Sequence, residues 1–395
     1  MTHCRAVMKE SVSAHCEVGE MFGRRLGLPV GVQQAVRFSW ERWDGKGLAY
    51  GLPGAQTPVA ARVLHLAQVV QASHTFGGAE AARAIVTERR GTDFDPALVG
   101  PFLDISARAG FWDIAEGDSA QEAVLAMKPP CPWDHLDDSQ IDVVCEVLAD
   151  FADVKSRSIW NHSLLVAETA RAVAERLGLP PAETARVRQA ALVHDLGKAA
   201  IPVGILVKGE SMTAAERERF HLHPYYTERA LSRIGPLREL ATDAAAHHEH
   251  VDGSGYHRQL AGNRIPLGGR ILAVADQFAI LSRGSDGWDA GRALAAMAPL
   301  VGSQFDGDCY EALHASQGGS PAGRPLRPKK AGPLTDREVE VLQLLCGGNS
   351  NRSIAKTLVL SGKTVEHHLE HIYNKLGVTS RTAASVFAVQ NGLAP

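Results

Sequence analysis

Apolar residues recur three and four positions apart along most of the chain. In the run from Glu168 to Leu177, Ala170, Val173 and Ala174 fall on one helical face with Leu177, and Gly178 followed by Pro180 and Pro181 ends the run. Segments that alternate between apolar and polar residues with a period of two are rare. The pattern therefore predicts an all-α protein with little or no sheet.

Two breaks interrupt this pattern. Residues 128–133 carry three prolines, which remove backbone donors and fix φ, so this segment cannot lie inside a helix. Residues 318–332 are rich in glycine and proline and contain four basic residues and no acidic one, as expected of a flexible linker. We predict domains over 1–127, 134–315 and 333–395, with a basic linker over 316–332.

Charge and composition narrow the class of protein. The 395 residues carry a formal net charge of −3, so any binding to nucleic acid has to come from a local surface. The six cysteines form no C-x-x-C pair, which favours free and mostly buried thiols. We find no apolar run of 18 residues and no basic-then-apolar leader, so we expect a cytoplasmic protein without a membrane partner.

The sequence contains an internal repeat. Shifting it by 208 residues aligns His15–Gln68 with His223–Asp276 without a gap. Residues Glu41, Asp44, Gly45, Gly47, Leu52, Gly54, Pro58 and Arg62 match Glu249, Asp252, Gly253, Gly255, Leu260, Gly262, Pro266 and Arg270. Further on, Gly91–Asp95 resembles Gly302–Asp306 after three added residues. We infer two related units, of which the first begins partway through.

The second unit concentrates side chains that bind metals. It contains His162, His194, Asp195, His223, His247, His248 and Asp276. Imidazole and carboxylate without thiolate suit manganese, iron or zinc at a hydrolytic centre, and an adjacent His-Asp pair allows the carboxylate to bridge two ions. Asp276 lies in an apolar helical stretch, where a carboxylate without a cation would be costly. The alternative is a set of ordinary surface and core histidines.

These residues carry a specific resemblance. His194-Asp-Leu-Gly-Lys198, Met212-Thr, His223-Pro224, His247-His-Glu249, Asp252-Gly-Ser-Gly-Tyr256, Ile265-Pro-Leu and Val274-Ala-Asp276 resemble the HD-GYP branch of the HD phosphohydrolases from about His162 to Phe305. That family is all-helical, binds two or three metal ions, commonly iron or manganese, and hydrolyses cyclic dinucleotides. The resemblance implies that the seven residues named above are the metal ligands. It also implies catalytic roles for Asp195 and for Lys198, which would assist the phosphate.

Several positions depart from the family pattern. Gly255-Tyr256-His257 replaces Gly-Tyr-Pro, and Ser158 stands where members with three metals have a glutamate. We therefore expect two divalent transition-metal ions, iron or manganese in preference to zinc. Residues 284–288 replace a segment that usually carries two arginines, although Arg283 is nearby. We expect recognition of cyclic di-GMP to be impaired.

The first unit has lost the metal-binding residues. Ser39 and Trp40 replace the His247-His248 pair, and Gln68 replaces Asp276. The counterpart of His194-Asp195 would lie before Met1. This unit cannot assemble a metal centre; a ligand sensor or dimer surface and a purely structural role both remain open.

The last segment has the pattern of a helix-turn-helix. Thr335 and Glu338 form a capping box that begins a helix, and Gly347-Gly348 ends it. A second helix over Asn351–Leu358 and a third from Ser361 follow. Six basic against five acidic side chains give this segment a net charge of only +1. A helical protein-binding module would show the same periodicity.

A second resemblance distinguishes these alternatives. Leu334-Thr-Asp-Arg-Glu338, Asn351-Arg-Ser-Ile-Ala355, Lys363-Thr-Val365, Lys375-Leu-Gly-Val378 and Ser380-Arg-Thr382 resemble the LuxR-type helix-turn-helix over 333–392. The resemblance implies that Lys363, Thr364 and His367 face bases or phosphates of duplex DNA. It further implies that Arg352 and Arg381 contact phosphates.

The preferred function is a transcriptional regulator coupled to an HD-GYP-like domain, acting as a homodimer. One alternative is a phosphodiesterase, acting on a cyclic dinucleotide or another phosphodiester, that the DNA-binding domain merely localises. The other alternative is an inactive sensor that binds a nucleotide without cleaving it. The ligand set favours an enzyme, whereas the missing arginines favour an altered substrate or binding alone.

Overall fold

The structure is a computed structural model that describes residues 2–116, 120–127, 136–156, 161–283, 288–318, 334–378, 380–390 and 393. The predicted break at 128–133, Ser158, residues 284–287 and nearly all of the predicted linker lie outside these residues. Backbone contacts divide the chain into two compact units. One comprises Met1–Leu136 with Gly377–Ala383, and the other comprises Asp137–Leu376 with Ala384–Pro395.

The N-terminal unit is built of helices around a small apolar core. The helices are α1 (Thr2–Arg25), α2 (Val30–Arg37), α3 (Val59–Glu88), α4 (Pro96–Ser106), α5 (Phe111–Glu116) and α6 (Ala120–Met127). Gly78 interrupts α3 with a φ of +70°, a left-handed conformation that glycine adopts without a steric penalty. Leu66, Val70 and Phe102 pack in the core with Phe94.

The second unit begins with the helices that carry the predicted metal ligands. They are α7 (Asp138–Ser156), α8 (His162–Arg176), α9 (Pro181–Val193), α10 (Val203–Leu206), α11 (Ala214–Phe220), α12 (His223–Leu231), α13 (Ala241–Ala245), α14 (Leu267–Arg283), α15 (Ala290–Met297) and α16 (Gly307–Gly318). Helix α8 packs against α9, α14 and α16. Ile271, Val274 and Phe278 of α14 lie in the large core that these helices share.

The two related segments form the same local structure. The amide of Asp44 donates to the Thr92 carbonyl over 2.8 Å, and the matching amide of Asp252 donates to the Ser303 carbonyl over 2.9 Å. Glu41 accepts hydrogen bonds from the amides of residues 50–52, just as Glu249 accepts them from residues 258 and 260.

An ion pair repeats as well. Arg62 pairs with Asp95 in the first segment, and Arg270 pairs with Asp306 over 2.7 Å in the second. The aspartate and the arginine of this pair thus stand at matching positions in both units. These contacts support the interpretation of the sequence as two related units.

The C-terminal segment contains the three predicted helices, α17 (Asp336–Cys346), α18 (Asn351–Leu358) and α19 (Gly362–Leu376), and a fourth, α20 (Arg381–Gln390). The capping box of Thr335 and Glu338 is present at the start of α17. The spacing of Val365, Leu369, Ile372 and Leu376 predicts a buried stripe on α19; the first three are buried and Leu376 is half-buried. In the described residues the only β contacts are two isolated bridges, so the all-α prediction is confirmed.

Two further expectations can be compared with the described residues. Cys16, Cys145, Cys309 and Cys346 are free and buried. Within the part of the chain that the structure describes, no helix combines the length and the apolar character needed to span a membrane.

Matched positions of the repeat give a test of core packing. Ile271 is fully buried, whereas the matching Val63 is 46% exposed. Ile271→Ala should lower the free energy of unfolding by about 2–5 kcal/mol, because it leaves a cavity in a packed core. Val63→Ala should change it by no more than about 0.5 kcal/mol. Calorimetric unfolding of both full-length variants measures the difference, and equal effects would contradict this packing.

Candidate metal centre and DNA-facing helix

The seven predicted ligands come from the ends of short helices and from the middle of α14. His162 and His223 are the first residues of α8 and α12, and His194 directly follows α9. His247 and His248 lie in the turn after α13. Helix ends of this kind let each imidazole point away from its own helix and toward a common centre.

A shared local contact orients three of these rings. His194 Nδ1 donates to the carbonyl of Ala191 over 2.7 Å, His223 Nδ1 to that of Phe220 over 2.8 Å, and His247 Nδ1 to that of Ala244 over 2.6 Å. In each case the acceptor lies three residues earlier in the chain. A hydrogen bond from Nδ1 fixes the tautomer and leaves Nε2 as the basic atom, which is how proteins prepare histidine to bind a metal.

Asp195 lies between two groups of ligands. Its Oδ2 is 3.7 Å from His162 Nε2 and 3.4 Å from His194 Nε2. Its Oδ1 is 3.4 Å from His223 Nε2 and 3.8 Å from His247 Nε2. Each carboxylate oxygen therefore faces a different pair of imidazoles.

Each group has a further ligand of its own. Asp276 Oδ1 is 2.9 Å from His162 Nε2 and 3.7 Å from His194 Nε2, which completes the first group. On the other side the His248 ring lies 5.1 Å from that of His223 and 4.1 Å from that of His247, measured between centroids. The structure therefore brings together all seven residues that the sequence predicts as ligands.

The centre fits divalent metal ions. His194 Nε2 and Asp195 Oδ1 are buried and make no hydrogen bond of acceptable geometry, although His194 Nε2 lies 3.4 Å from Asp195 Oδ2 and Asp195 Oδ1 lies 3.4 Å from His223 Nε2. Buried polar atoms without hydrogen bonds are costly, and a cation would satisfy both. In each of three sets of three residues, the potential ligand atoms lie within 4.8 Å of one another. One of these sets is His223, His247 and His248. The donors are imidazole and carboxylate, which suit iron, manganese or zinc.

The two buried carboxylates dominate the electrostatics of the centre. Burial alone would lower the pKa of His194, but Asp195 and Asp276 raise it to about 10. Burial would raise the pKa of both carboxyls, yet the neighbouring imidazoles hold the pKa of each well below its ordinary value. Burial lowers the pKa of His247 to about 4, with His194 adding to the effect. The carboxylates thus stay ionised, and the charge has to be balanced inside the site.

The turn after α9 is held by contacts that sequence reasoning missed. Thr227 on α12 donates its hydroxyl to the His194 carbonyl and accepts from the Gly197 amide, both over 2.9 Å. A Cβ on Gly197 would lie 1.9 Å from the His223 carbonyl oxygen. Glycine is therefore required for the turn and α12 to approach so closely. Gly197 belongs to the motif His194-Asp-Leu-Gly-Lys198, but no sequence pattern indicated Thr227.

Two residues of helix α7 stabilise backbone segments next to the predicted ligands. The buried carboxylate of Asp153 accepts from the amide and the hydroxyl of Ser163, over 3.1 and 2.7 Å, next to His162. Lys155, the next-to-last residue of α7, donates to the Ala199 carbonyl just beyond Lys198. These two contacts hold the first turn of α8 and the turn that follows Asp195. No sequence pattern indicated either residue.

Lys198 lies in a 3-10 turn over Leu196–Ala200, and its ammonium contacts Asp195 Oδ2. Burial would lower the pKa of Lys198, but Asp195 raises it. The lysine is thus a charged neighbour of the bridging carboxylate, and contact with a phosphate remains a prediction.

Aromatic rings lie beside the centre. Tyr256 stacks on His221 with centroids 3.9 Å apart and an interplanar angle of 11°, and its centroid is 4.7 Å from that of His248. Burial raises the pKa of Tyr256, so its hydroxyl stays protonated. His257, which replaces the family proline, lies with Nε2 3.8 Å from a carboxylate oxygen of Glu228. The substituted position therefore faces α12, the helix that begins at the predicted ligand His223.

The predicted DNA contacts lie on α18, α19 and the start of α20. Arg352, Lys363 and His367 are exposed, while Thr364 and Arg381 are half-buried. The Thr364 hydroxyl lies 2.7 Å from that of Ser361, which caps α19 by accepting from the Thr364 amide. The three exposed residues are therefore accessible to a large ligand.

An ion pair between a buried glutamate and an exposed lysine joins two helices of this domain. Lys375 on α19 contacts both oxygens of Glu338 on α17, over 2.9 and 2.7 Å. Burial would raise the pKa of Glu338, but Lys375 and the capping contacts lower it to about 2. Lys375 is consequently occupied within the domain, whereas Lys363 is exposed to solvent.

Comparisons with known proteins agree with both resemblances. The HD domain model matches residues 146–309, and the model of the luxR family of bacterial regulatory proteins matches residues 332–388. The chain is 30% identical over 308 residues to the 3'3'-cGAMP-specific phosphodiesterase 3 of Vibrio cholerae, covering 77% of this chain and 67% of the relative. It is 40% identical over 151 residues to the cyclic di-GMP phosphodiesterase response regulator RpfG of Xanthomonas campestris, covering 36% of this chain and 39% of that one.

A solved structure extends the similarity beyond the metal domain. The crystal structure of a cyclic GMP-AMP-specific phosphodiesterase from V. cholerae matches with a TM-score of 0.56 and 28% identity, over 78% of this chain and 72% of the other. The fold and the site together define a metal-dependent phosphohydrolase with a C-terminal helix-turn-helix. The chain belongs to the HD-GYP phosphodiesterases of the HD family.

Gly197 provides a test of the close approach at the centre. Gly197→Ala should strongly reduce the metal content, because the new methyl group would push His194 and Asp195 away from His223. Gly204→Ala is the matched control, since a Cβ there meets nothing within 4 Å. Elemental analysis with circular dichroism of both full-length variants measures the effect. Full metal content in a folded Gly197→Ala protein would contradict it.

Metal uptake should release protons. An imidazole must be neutral to bind a metal, and the carboxylates keep His194 protonated at pH 7.5 because they raise its pKa to about 10. A cation that binds His194 therefore displaces about one proton, and metal affinity should rise with pH. Calorimetric titration in buffers of different ionisation enthalpy measures this number. Uptake without proton release would contradict a protonated His194 that becomes a metal ligand.

Proposed function

We propose that this chain is a DNA-binding transcriptional regulator whose central domain is a cyclic-dinucleotide phosphodiesterase. The arrangement of Asp195, with one oxygen facing each group of imidazoles, is the observation that supports a two-metal hydrolytic site most directly. The luxR-family match and the exposed basic residues of the C-terminal helices support the DNA-binding part.

The proposed centre holds two ions, iron or manganese in preference to zinc. His162, His194 and Asp276 would hold one ion, and His223, His247 and His248 the other, with Asp195 shared between them. When bound, such a pair activates water and neutralises charge on a phosphoryl oxygen. The chain's own contribution is to fix the imidazoles through Nδ1 and to exclude solvent by burying the ligands.

Lys198 and the aromatic rings of Tyr256 and His221 would contact the substrate. The ammonium of Lys198 lies beside Asp195 and would donate to a phosphate oxygen, which compensates charge as the phosphodiester is attacked. The parallel rings of Tyr256 and His221 would contact a nucleobase, because planar bases stack on aromatic side chains.

The relatives suggest which cyclic dinucleotide is cleaved. The similarity to the Vibrio 3'3'-cGAMP-specific enzyme covers 77% of this chain, whereas the similarity to the cyclic di-GMP enzyme RpfG covers 36%. We therefore propose 3'3'-cGAMP as the substrate, with cyclic di-GMP cleaved poorly.

The substrate proposal is tested by comparing the two dinucleotides. If the preference follows that of the 3'3'-cGAMP-specific relative, kcat/KM for cyclic di-GMP should be at least about 10-fold lower than for 3'3'-cGAMP, a difference of about 1.4 kcal/mol in transition-state binding. His194→Ala with Asp195→Ala should abolish both activities and the metal content, whereas the exposed His314→Ala should change neither. Faster cleavage of cyclic di-GMP would refute the preference. Binding without any cleavage would favour the inactive sensor.

The DNA-binding proposal is tested by footprinting. Full-length protein should protect two half-sites about one helical turn apart, as a dimer with a module on each half-site would. Lys363→Ala should weaken binding and lower the salt dependence by about one phosphate contact. Lys46→Ala, an exposed lysine of the N-terminal unit, is the matched control. Protection of a single isolated half-site, or an unchanged affinity of Lys363→Ala, would refute this proposal.

A further inference from the structure

The N-terminal unit contains a cavity that the phosphodiesterase and DNA-binding functions do not use. It has a volume of about 650 Å³ and is lined by α3, α4 and α5. Val63, Leu66 and Val70 of α3 form one wall, and Phe102 and Trp112 form the other. Cavities of about 300–1,000 Å³ with mostly apolar walls are typical of sites for small molecules.

The repeat explains why this space exists. Val63 and Ala67 match Ile271 and Ala275 of α14, which are fully buried in the second unit, where α14 packs against α8. In the described part of the N-terminal unit, the matching face lines the cavity instead. The same helix surface is thus core in one unit and the wall of an accessible space in the other.

The far side of the cavity is built from residues that lie beyond the repeat. Helix α5 brings Trp112 against His74 with the two rings parallel, 4.3 Å apart between centroids. Trp112 Nε1 donates to the Ser106 carbonyl over 3.0 Å, which fixes the ring on α4. A 15-residue helix such as α8 is about 22 Å long and about 10 Å wide, so it occupies more than the 650 Å³ of the cavity, whereas a molecule of two or three rings fits this volume.

The chemistry of the walls defines the kind of ligand. No Asp, Glu, Lys or Arg is among the described residues that line the cavity, so a charged ligand would lose its hydration without gaining a counter-charge. Four lining side chains are aromatic: His74, Phe102, Phe111 and Trp112. Gln71 and Thr75, exposed and hydrogen-bonded to each other on α3, offer polar groups to the edge of a ligand.

We infer that the N-terminal unit binds an uncharged, planar aromatic molecule in this cavity. The ligand's rings pack among Phe102, Phe111 and Trp112, and its polar edge lies toward Gln71 and Thr75. The unit that lost its metal ligands is therefore a receptor for a small molecule. This inference is independent of the substrate and of DNA binding.

The uncharged fluorescent probe N-phenyl-1-naphthylamine tests the site in the full-length chain. We expect saturable binding with one probe per subunit and an increase in fluorescence. Ala67→Trp should weaken binding at least tenfold, because Ala67 is an exposed lining residue and the indole would fill the cavity without disturbing the core. Ala72→Trp is the matched control, since it adds the same side chain to an exposed position of α3 outside the cavity.

The outcomes separate this site from other uses of the same surface. Equal probe binding by the two variants, or the absence of saturable binding, would overturn the inference. Sedimentation of both variants tests whether a second copy of the chain covers the cavity. If Ala67→Trp changes the mass of the particle and leaves probe binding intact, the cavity is a subunit contact and the inference is wrong.

Discussion

The burial of two carboxylates among imidazoles is the constraint on which the metal domain depends. Asp195 and Asp276 are almost fully excluded from solvent, and ionised carboxylates in such a place are unstable unless positive charge surrounds them. Five histidines and Lys198 provide that charge or hold the cation that does. The helix ends, the tight turn at Gly197 and the Thr227 hydrogen bonds all maintain this balance of charge.

Sequence reasoning predicted a set of seven ligands because their chemistry is rare and their spacing is distinctive. All seven come together in the structure, and the first helix of the C-terminal domain begins at the capping box that the sequence predicts at Thr335 and Glu338. The supporting residues were missed for the opposite reason. A threonine such as Thr227 or an aspartate such as Asp153 is common in any helix, and its importance comes from a partner distant in the sequence.

The cavity of the N-terminal unit shows a second limit of sequence analysis. The apolar stripe of α3 has the same periodicity as that of α14, so periodicity alone predicts that both are buried. Whether a stripe is covered depends on the helices available to pack on it. Trp112 lies outside the repeat, and only the structure places its ring against His74.

The hydrogen bonds that Glu41 and Glu249 accept from backbone amides have an evolutionary consequence. In both units a buried glutamate gathers the amides of the following loop, and in neither does it belong to the seven-ligand set. The local structure is therefore specified separately from the predicted ligands, and one of two related units can lack those histidines and still form the same loop. A unit that is no longer under selection for hydrolysis can acquire a different function while the other unit keeps the metal-binding residues.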